Sequence, residues 1–148
     1  VIKHAGISAS IIVNGDLEID DHHTVEDTAI VFGSAIKSAL SDKLGIARYG
    51  FVLPMDESTA AVNLDLSGRS YCDFKCDFNS ERIGDLSTEM IGHFFRSFAD
   101  ALQATLQIEI TGRNSHHMAE AAFKGLGRVL RQAVAKDNST LPSTKGVL

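Results

Sequence analysis

What the chain lacks narrows its class. It has two cysteines in 148 residues, too few for a disulfide framework. No apolar run is long enough to cross a bilayer. Positive charge is not in excess: 14 Lys and Arg stand against 19 Asp and Glu, a net charge of -5 that gives no reason to expect nucleic acid or an anionic membrane as partner. The opening Val1 to Gly6 has neither the basic start nor the apolar core of a signal peptide, so nothing argues for secretion and a cytoplasmic protein is expected. With 44% hydrophobic and 22% charged residues, the composition is that of an ordinary globular domain able to bury its own core.

The two cysteines share one stretch, Tyr71 to Phe78, whose strict alternation puts Cys72, Phe74, Cys76 and Phe78 on one face of a strand. Residues i and i+4 of a strand stand about 13 Å apart, too far to bridge. The pair therefore reads as buried core thiols. A thiolate metal site lacks the second cysteine pair that would complete it.

Along the chain, Ile7 to Val13 reads as a strand, Asn14-Gly15-Asp16 as a hairpin turn, and Leu17-Glu18-Ile19 as the start of a second strand. Val25, Ala29, Ile30, Phe32, Gly33, Ile36 and Leu40 recur at helical spacing, predicting a helix over 24–40 with a stop near Gly45. The middle, 49–78, is strand-like, with turns expected at Pro54-Met55-Asp56-Glu57 and Ser67-Gly68-Arg69. A second helix is predicted over 87–102, capped by Ser87-Thr88-Glu89 and burying Met90, Ile91, Phe94, Phe95, Phe98 and Leu102. A strand over 104–111 and a helix over 118–135 follow, and 137–148 has the composition of a tail.

Against this background one short pattern occurs twice. His22-His23-Thr24-Val25-Glu26 and His116-His117-Met118-Ala119-Glu120 hold four of the six histidines, and each opens a predicted helix. In a helix, positions i and i+4 share a face while i and i+1 diverge by about 100°. His22 with Glu26, and His116 with Glu120, can thus each grip one ion while His23 and His117 point elsewhere. Imidazole and carboxylate donors without thiolate suit Mn, Fe, Co or Zn, and weaken the case for a structural zinc. One such pair alone would serve as polar capping; repetition in matching context weighs against that. Asp20 and Asp21 are helix N-terminal acids or partners orienting the imidazoles. His93 is a candidate ligand by its place in the repeat, and His4 is not.

The two halves echo each other: strand, glycine turn, His-His-x-x-Glu and helix occur over 11–40 and again over 106–135. This order predicts an α+β fold, an internally duplicated unit of mixed or antiparallel sheet with helices packed on one face. Residues 1–44 form the end of the first repeat, 45–136 the second, and 137–148 a tail. Arg48, Arg69, Lys124 and Lys145, with Ser143, stand beside glycine, serine or a site helix, a group suited to a phosphate.

Taken together, the strings resemble imidazoleglycerol-phosphate dehydratase. They are Gly15 to Asp27, Gly45-Ile46-Ala47-Arg48-Tyr49-Gly50, Pro54-Met55-Asp56-Glu57, Asp65-Leu66-Ser67-Gly68-Arg69, His93-Phe94-Phe95, Asn114 to His117 with Glu120, Phe123-Lys124, and Ser143-Thr144-Lys145-Gly146. The resemblance spans essentially the whole chain. It implies a lyase of histidine biosynthesis that removes water from imidazole glycerol phosphate, using two manganese ions per site to stabilise an imidazolate. It also implies a homo-oligomeric shell of twenty-four subunits with sites between them. Metal ligands then fall on His22, His23, Glu26, His93, His116, His117 and Glu120. Phosphate-binding residues fall on Arg48, Arg69, Lys124, Ser143 and Lys145, with Arg69 reaching a neighbour's site. Glu26 and Glu120 are the carboxylates here that can handle protons.

The departure is at the start. The family carries an earlier helix with an Asp-His-Met motif, supplying a further ligand, and an upstream Glu as the favoured base; neither occurs in this sequence. The alternative expectation is therefore a catalytically incomplete, metal-binding assembly fragment of that enzyme. Some bacterial relatives also carry an N-terminal phosphatase domain.

Overall fold

The computed structural model describes residues 1–16, 18–137 and 140–146. Leu17 of the predicted second strand and tail residues Asn138, Ser139, Val147 and Leu148 lie outside them. The described elements, in chain order, are α1 (Ile2–Ala5), α2 (His22–Leu40), β1 (Tyr49–Met55), β2 (Ser58–Asp65), β3 (Tyr71–Cys76), β4 (Arg82–Ile83), β5 (Leu86–Ser87), α3 (Glu89–Leu102), β6 (Thr105–Thr111) and α4 (Ser115–Ala133).

Four strands form a mixed sheet in the order β1-β2-β6-β3. The β1–β2 and β2–β6 pairs are antiparallel, and β3 runs parallel to β6 because α3 carries the chain back across the sheet between them. Period-two patterning makes the sheet one-sided: Ala60, Val62 and Leu64 of β2 and Leu106, Ile108 and Ile110 of β6 are buried toward the helices. Helix α4 packs across β1 and β2, α3 lies against β3, and α2 packs on α3. The close α4 contact needs small residues: a Cβ on Gly50 would stand 2.3 Å from the Val129 carbonyl oxygen, and one on Gly125 would stand 2.6 Å from Val62 Cγ2.

Aromatic packing fixes α3. Phe95 is fully buried, with its ring centroid 5.5 Å from Phe74 of β3 and 4.9 Å from Phe123 of α4. Those contacts hold the helix in the register that presents His93. The cysteines are free, as expected, but only half-buried against the core and not fully inside it, and burial still holds them as thiols with pKa values pushed up to about 11.

Several local expectations need correction. Ile7 to Val13 and the residues described around 18–19 are irregular rather than strands. The β-branched run has the propensity, but a strand requires a hydrogen-bonded neighbour, and this segment lies along α2 instead of a sheet edge, leaving Ile12 85% exposed. Pro54 and Met55 belong to β1, so the turn shrinks to Asp56 and Glu57. Helix α4 starts three residues earlier than predicted, at Ser115, because the Asn114 side chain caps it by accepting from the His116 and His117 N–H groups. Thr88 does not cap α3: its hydroxyl is turned to the Ser80 and Glu81 carbonyls.

Candidate metal centre

Both His-His pairs occupy the first turn of their helices, α2 and α4. At the start of α2, the Asp20 carboxylate accepts from the His22 N–H at 2.9 Å, acting as the expected N-terminal acid. Asp21 acts differently. Its Oδ2 accepts from the Ser87 N–H at 2.9 Å, tying α2 to the strand that leads into α3. That tie brings His93 over the first turn of α2.

The result is a converging set of three donors. Glu26 Oε2 lies 3.6 Å from His22 Nε2, Glu26 Oε1 lies 3.4 Å from His93 Nε2, and the two rings are 4.5 Å apart between centroids. One ligand atom from each residue falls within 4.8 Å of the others, and among the described residues no other three His, Cys, Asp or Glu side chains converge so closely. Among the described residues His93 Nε2 is buried and has no hydrogen-bond partner. Leaving a buried polar atom unpaired is costly, and a cation between the three donors would satisfy it. Two imidazoles and a carboxylate fit a divalent transition metal.

The second set is looser. His116 Nε2 stands 3.8 Å from Glu120 Oε2, the i,i+4 pairing the spacing predicts. Glu120 Oε1 also meets Lys124 Nζ at 2.8 Å, and this ammonium holds the Glu120 carboxyl below its ordinary pKa. His117 faces elsewhere: its Nδ1 is 2.8 Å from Glu57 Oε2. That contact, with the turn's own backbone, lowers the Glu57 pKa to about 2 and raises that of His117. His23 is exposed, its ring edge-on to His22 at 5.9 Å.

The phosphate candidates divide into groups. Arg48 Nε and Nη2 donate to Asp65 Oδ1 and Oδ2 at 2.5 and 3.0 Å, and Nη1 donates to the Pro142 carbonyl at 2.9 Å. The hydrogen bond to Asp65 raises the Arg48 pKa, so the guanidinium stays charged. The same grip sets the tail, where Ser143 Oγ accepts from the Lys145 N–H at 3.2 Å. Lys124 belongs to the other end of β1, its Nζ 3.2 Å from Met55 Sδ. Seven residues of strand separate these ends, a span of about 20 Å. Arg69 is exposed beyond the end of β2. Arg48, Ser143 and Lys145 thus form one cluster, while Lys124 joins the start of α4.

Neither Glu57 nor Asp65 has a role predicted from sequence, although both stand in motifs that the sequence singles out. Glu57 is 60 residues from His117 and Asp65 is 17 from Arg48, and no periodicity links either pair.

A family model described as imidazoleglycerol-phosphate dehydratase matches residues 1–130. This chain belongs to the imidazoleglycerol-phosphate dehydratase family. It is similar to the histidine biosynthesis bifunctional protein HisB of Legionella pneumophila (strain Philadelphia 1), 60% identical over 148 residues, which are 100% of this chain and 42% of that protein. The HisB of Baumannia cicadellinicola is 50% identical over the same length and again 42% covered. The chain therefore spans less than half the length of these curated relatives. Among solved structures, the imidazoleglycerol-phosphate dehydratase of Staphylococcus aureus superposes with a TM-score of 0.84 at 36% identity, over 91% of this chain and 78% of that one. The Pyrococcus furiosus dehydratase, solved in complex with (S)-C348, gives 0.75 at 35% identity, over 86% and 71%. The dehydratase structures share the α+β fold expected from the sequence.

Proposed function

We propose that this chain is the dehydratase part of a histidine-biosynthesis enzyme, a hydro-lyase that converts imidazole glycerol phosphate to imidazole acetol phosphate in the cytoplasm. The observation that carries the reading is the buried His93 Nε2, without a hydrogen-bond partner among the described residues and converging with His22 and Glu26, in a chain of the dehydratase family. We assign the candidate ligands to a dinuclear site to which each His-His pair gives one histidine per ion. His22, Glu26 and His93 hold one ion, His116 and Glu120 hold the other, and His23 and His117 each face the ion that their neighbour does not, manganese being the favoured ion. Bound divalent cations there would supply Lewis-acid stabilisation of a substrate imidazolate, which makes loss of the neighbouring hydroxyl feasible.

The protein's own groups then have distinct roles. Arg48, Arg69, Lys124, Ser143 and Lys145 hold the phosphate, by bidentate guanidinium contacts, ammonium charge and a hydroxyl, and so fix the reacting carbons. Glu120, kept ionised by Lys124, suits a ligand better than a general base, because a base works best with a pKa near the working pH. Glu26, with its two oxygens facing two imidazoles, is likewise a ligand first. The roughly 20 Å between the Arg48 cluster and Lys124 supports a site assembled between subunits of a homo-oligomer, the twenty-four-subunit shell of the resemblance. Residues 1–44 are the end of one repeat, 45–136 the second, and 137–148 the phosphate-binding tail.

A second reading, a metal-binding assembly fragment without turnover, draws on the second donor set, which lacks a third converging ligand among the described residues. Dehydration of imidazole glycerol phosphate, assayed with and without manganese, decides. The dehydratase reading expects turnover that chelation abolishes and manganese restores. Full activity after chelation would sink the metal assignment, and metal binding without turnover would favour the fragment.

A further inference from the structure

Glu57 occupies the two-residue turn between β1 and β2, where Asp56 adopts a left-handed φ of 49° and the tip of the hairpin swings against the start of α4. Its carboxylate is fully engaged there. Oε1 accepts from the Asn114 N–H at 3.1 Å and from the Ser58 hydroxyl at 3.2 Å, and Oε2 meets His117 Nδ1 at 2.8 Å. Asn114 is itself the cap of α4, accepting from the His116 and His117 N–H groups. One side chain from a distant hairpin thus holds both the backbone and the ring at the second His-His pair.

The chemistry of the contact fixes a tautomer. An ionised carboxylate can only accept, so His117 Nδ1 must carry the proton, and in the neutral ring the lone pair is on Nε2. An imidazole whose far nitrogen donates to a carboxylate is aimed and made more basic as a metal ligand, and loss of such a partner typically weakens metal affinity by ~10–100-fold. His22, His93 and His116 reach their carboxylates through Nε2, which is the ligating side. His117 is different in presenting Nδ1 to Glu57, which makes Nε2 the nitrogen available to a ligand.

We propose that Glu57 is a positioning residue for the metal centre: it holds His117 as the Nδ1–H tautomer with Nε2 aimed at the ion. The proposal rests on the metal reading above and goes beyond it by naming a residue that touches neither ion nor substrate.

Manganese affinity, measured on the purified full chain by the electron paramagnetic resonance signal of free Mn2+ during titration, tests it through Glu57→Gln, His117→Ala and the double variant. Gln keeps an oxygen for one of the three contacts but replaces the charge. Glu57→Gln is expected to weaken binding at the affected ion by ~10-fold or more. The double variant should bind no worse than His117→Ala alone, because Glu57 acts through His117. Additive losses would overturn the proposal and make Glu57 a structural brace of the hairpin. Unchanged affinity in Glu57→Gln, with His117→Ala weakened, would overturn it while leaving the metal reading intact. If His117→Ala also binds as the parent does, His117 is no ligand and the assignment on which the proposal rests falls with it.

Discussion

Replacing Asp65 by asparagine tests how the proposed phosphate cluster is held, because it removes a charge while keeping a shape. In the native protein two N–H groups of Arg48 lie on the two Asp65 oxygens at 2.5 and 3.0 Å. Both side chains are sheltered, 14% and 22% exposed. An amide offers a single acceptor, and its NH2 would face a guanidinium donor, so one of the two bonds is lost and a donor is left unpaired. Hydrogen bonds to charged groups contribute about 1.5–3 kcal/mol each, whereas fully exposed ion pairs contribute about 0–1 kcal/mol. At this burial the expected loss is about 2 kcal/mol. Each kcal/mol moves the midpoint of a domain this size by about 2–4 °C, so Tm should fall by about 4–8 °C. The measurement is thermal unfolding of the metal-free protein by circular dichroism, at matched protein concentration so that assembly does not contribute. The same guanidinium holds the Pro142 carbonyl at 2.9 Å, so a loosened Arg48 also releases the tail that carries Ser143 and Lys145. Under the proposed dehydratase reading, KM for imidazole glycerol phosphate should then rise more than kcat falls. A Tm within about 1 °C of the parent would refute the reasoning, since it would mean the pair is solvated and not structural.

Two further outcomes follow from packing. Gly50→Ala should cost about 1–3 kcal/mol, read as a lower denaturant midpoint with an unchanged slope, because its Cβ would meet the rigid Val129 carbonyl at 2.3 Å; a stability equal to the parent's would show that α4 can lift away from β1. Cys72 and Cys76, whose burial raises their pKa to about 11, should alkylate about 100-fold more slowly at pH 8 than an ordinary thiol, with the rate climbing as pH rises toward 11 and thiolate forms. Ordinary alkylation kinetics in the folded protein, followed by mass spectrometry, would contradict that burial.

The elements that local patterning specifies strongly are the ones it predicts well. Helices α2, α3 and α4 follow from apolar residues at helical spacing, and the pairing of His22 with Glu26 and of His116 with Glu120 follows from the pitch of the helix alone. The same pitch separates His117 from that face, but it does not say what His117 meets. Where a feature needs a partner from elsewhere, sequence falls short. Ile7 to Val13 has the composition of a strand and, among the described residues, no strand beside it. Thr88 looks like a cap and spends its hydroxyl on a neighbouring turn.

By itself, then, the sequence determined the family, the helices and which histidines and glutamates share a helix face, because these rest on residue identity and on spacings of three and four that any α-helix converts into a shared face. Only the tertiary structure decided the rest. It drew His93 onto the first turn of α2 through Asp21 and the β5 backbone, set Glu57 behind His117, and locked Arg48 to Asp65 at the far end of β1 from Lys124. The physical reason is that each of these contacts joins segments well separated in the chain, and sheet register and helix packing, rather than spacing along the chain, bring them within a few ångströms.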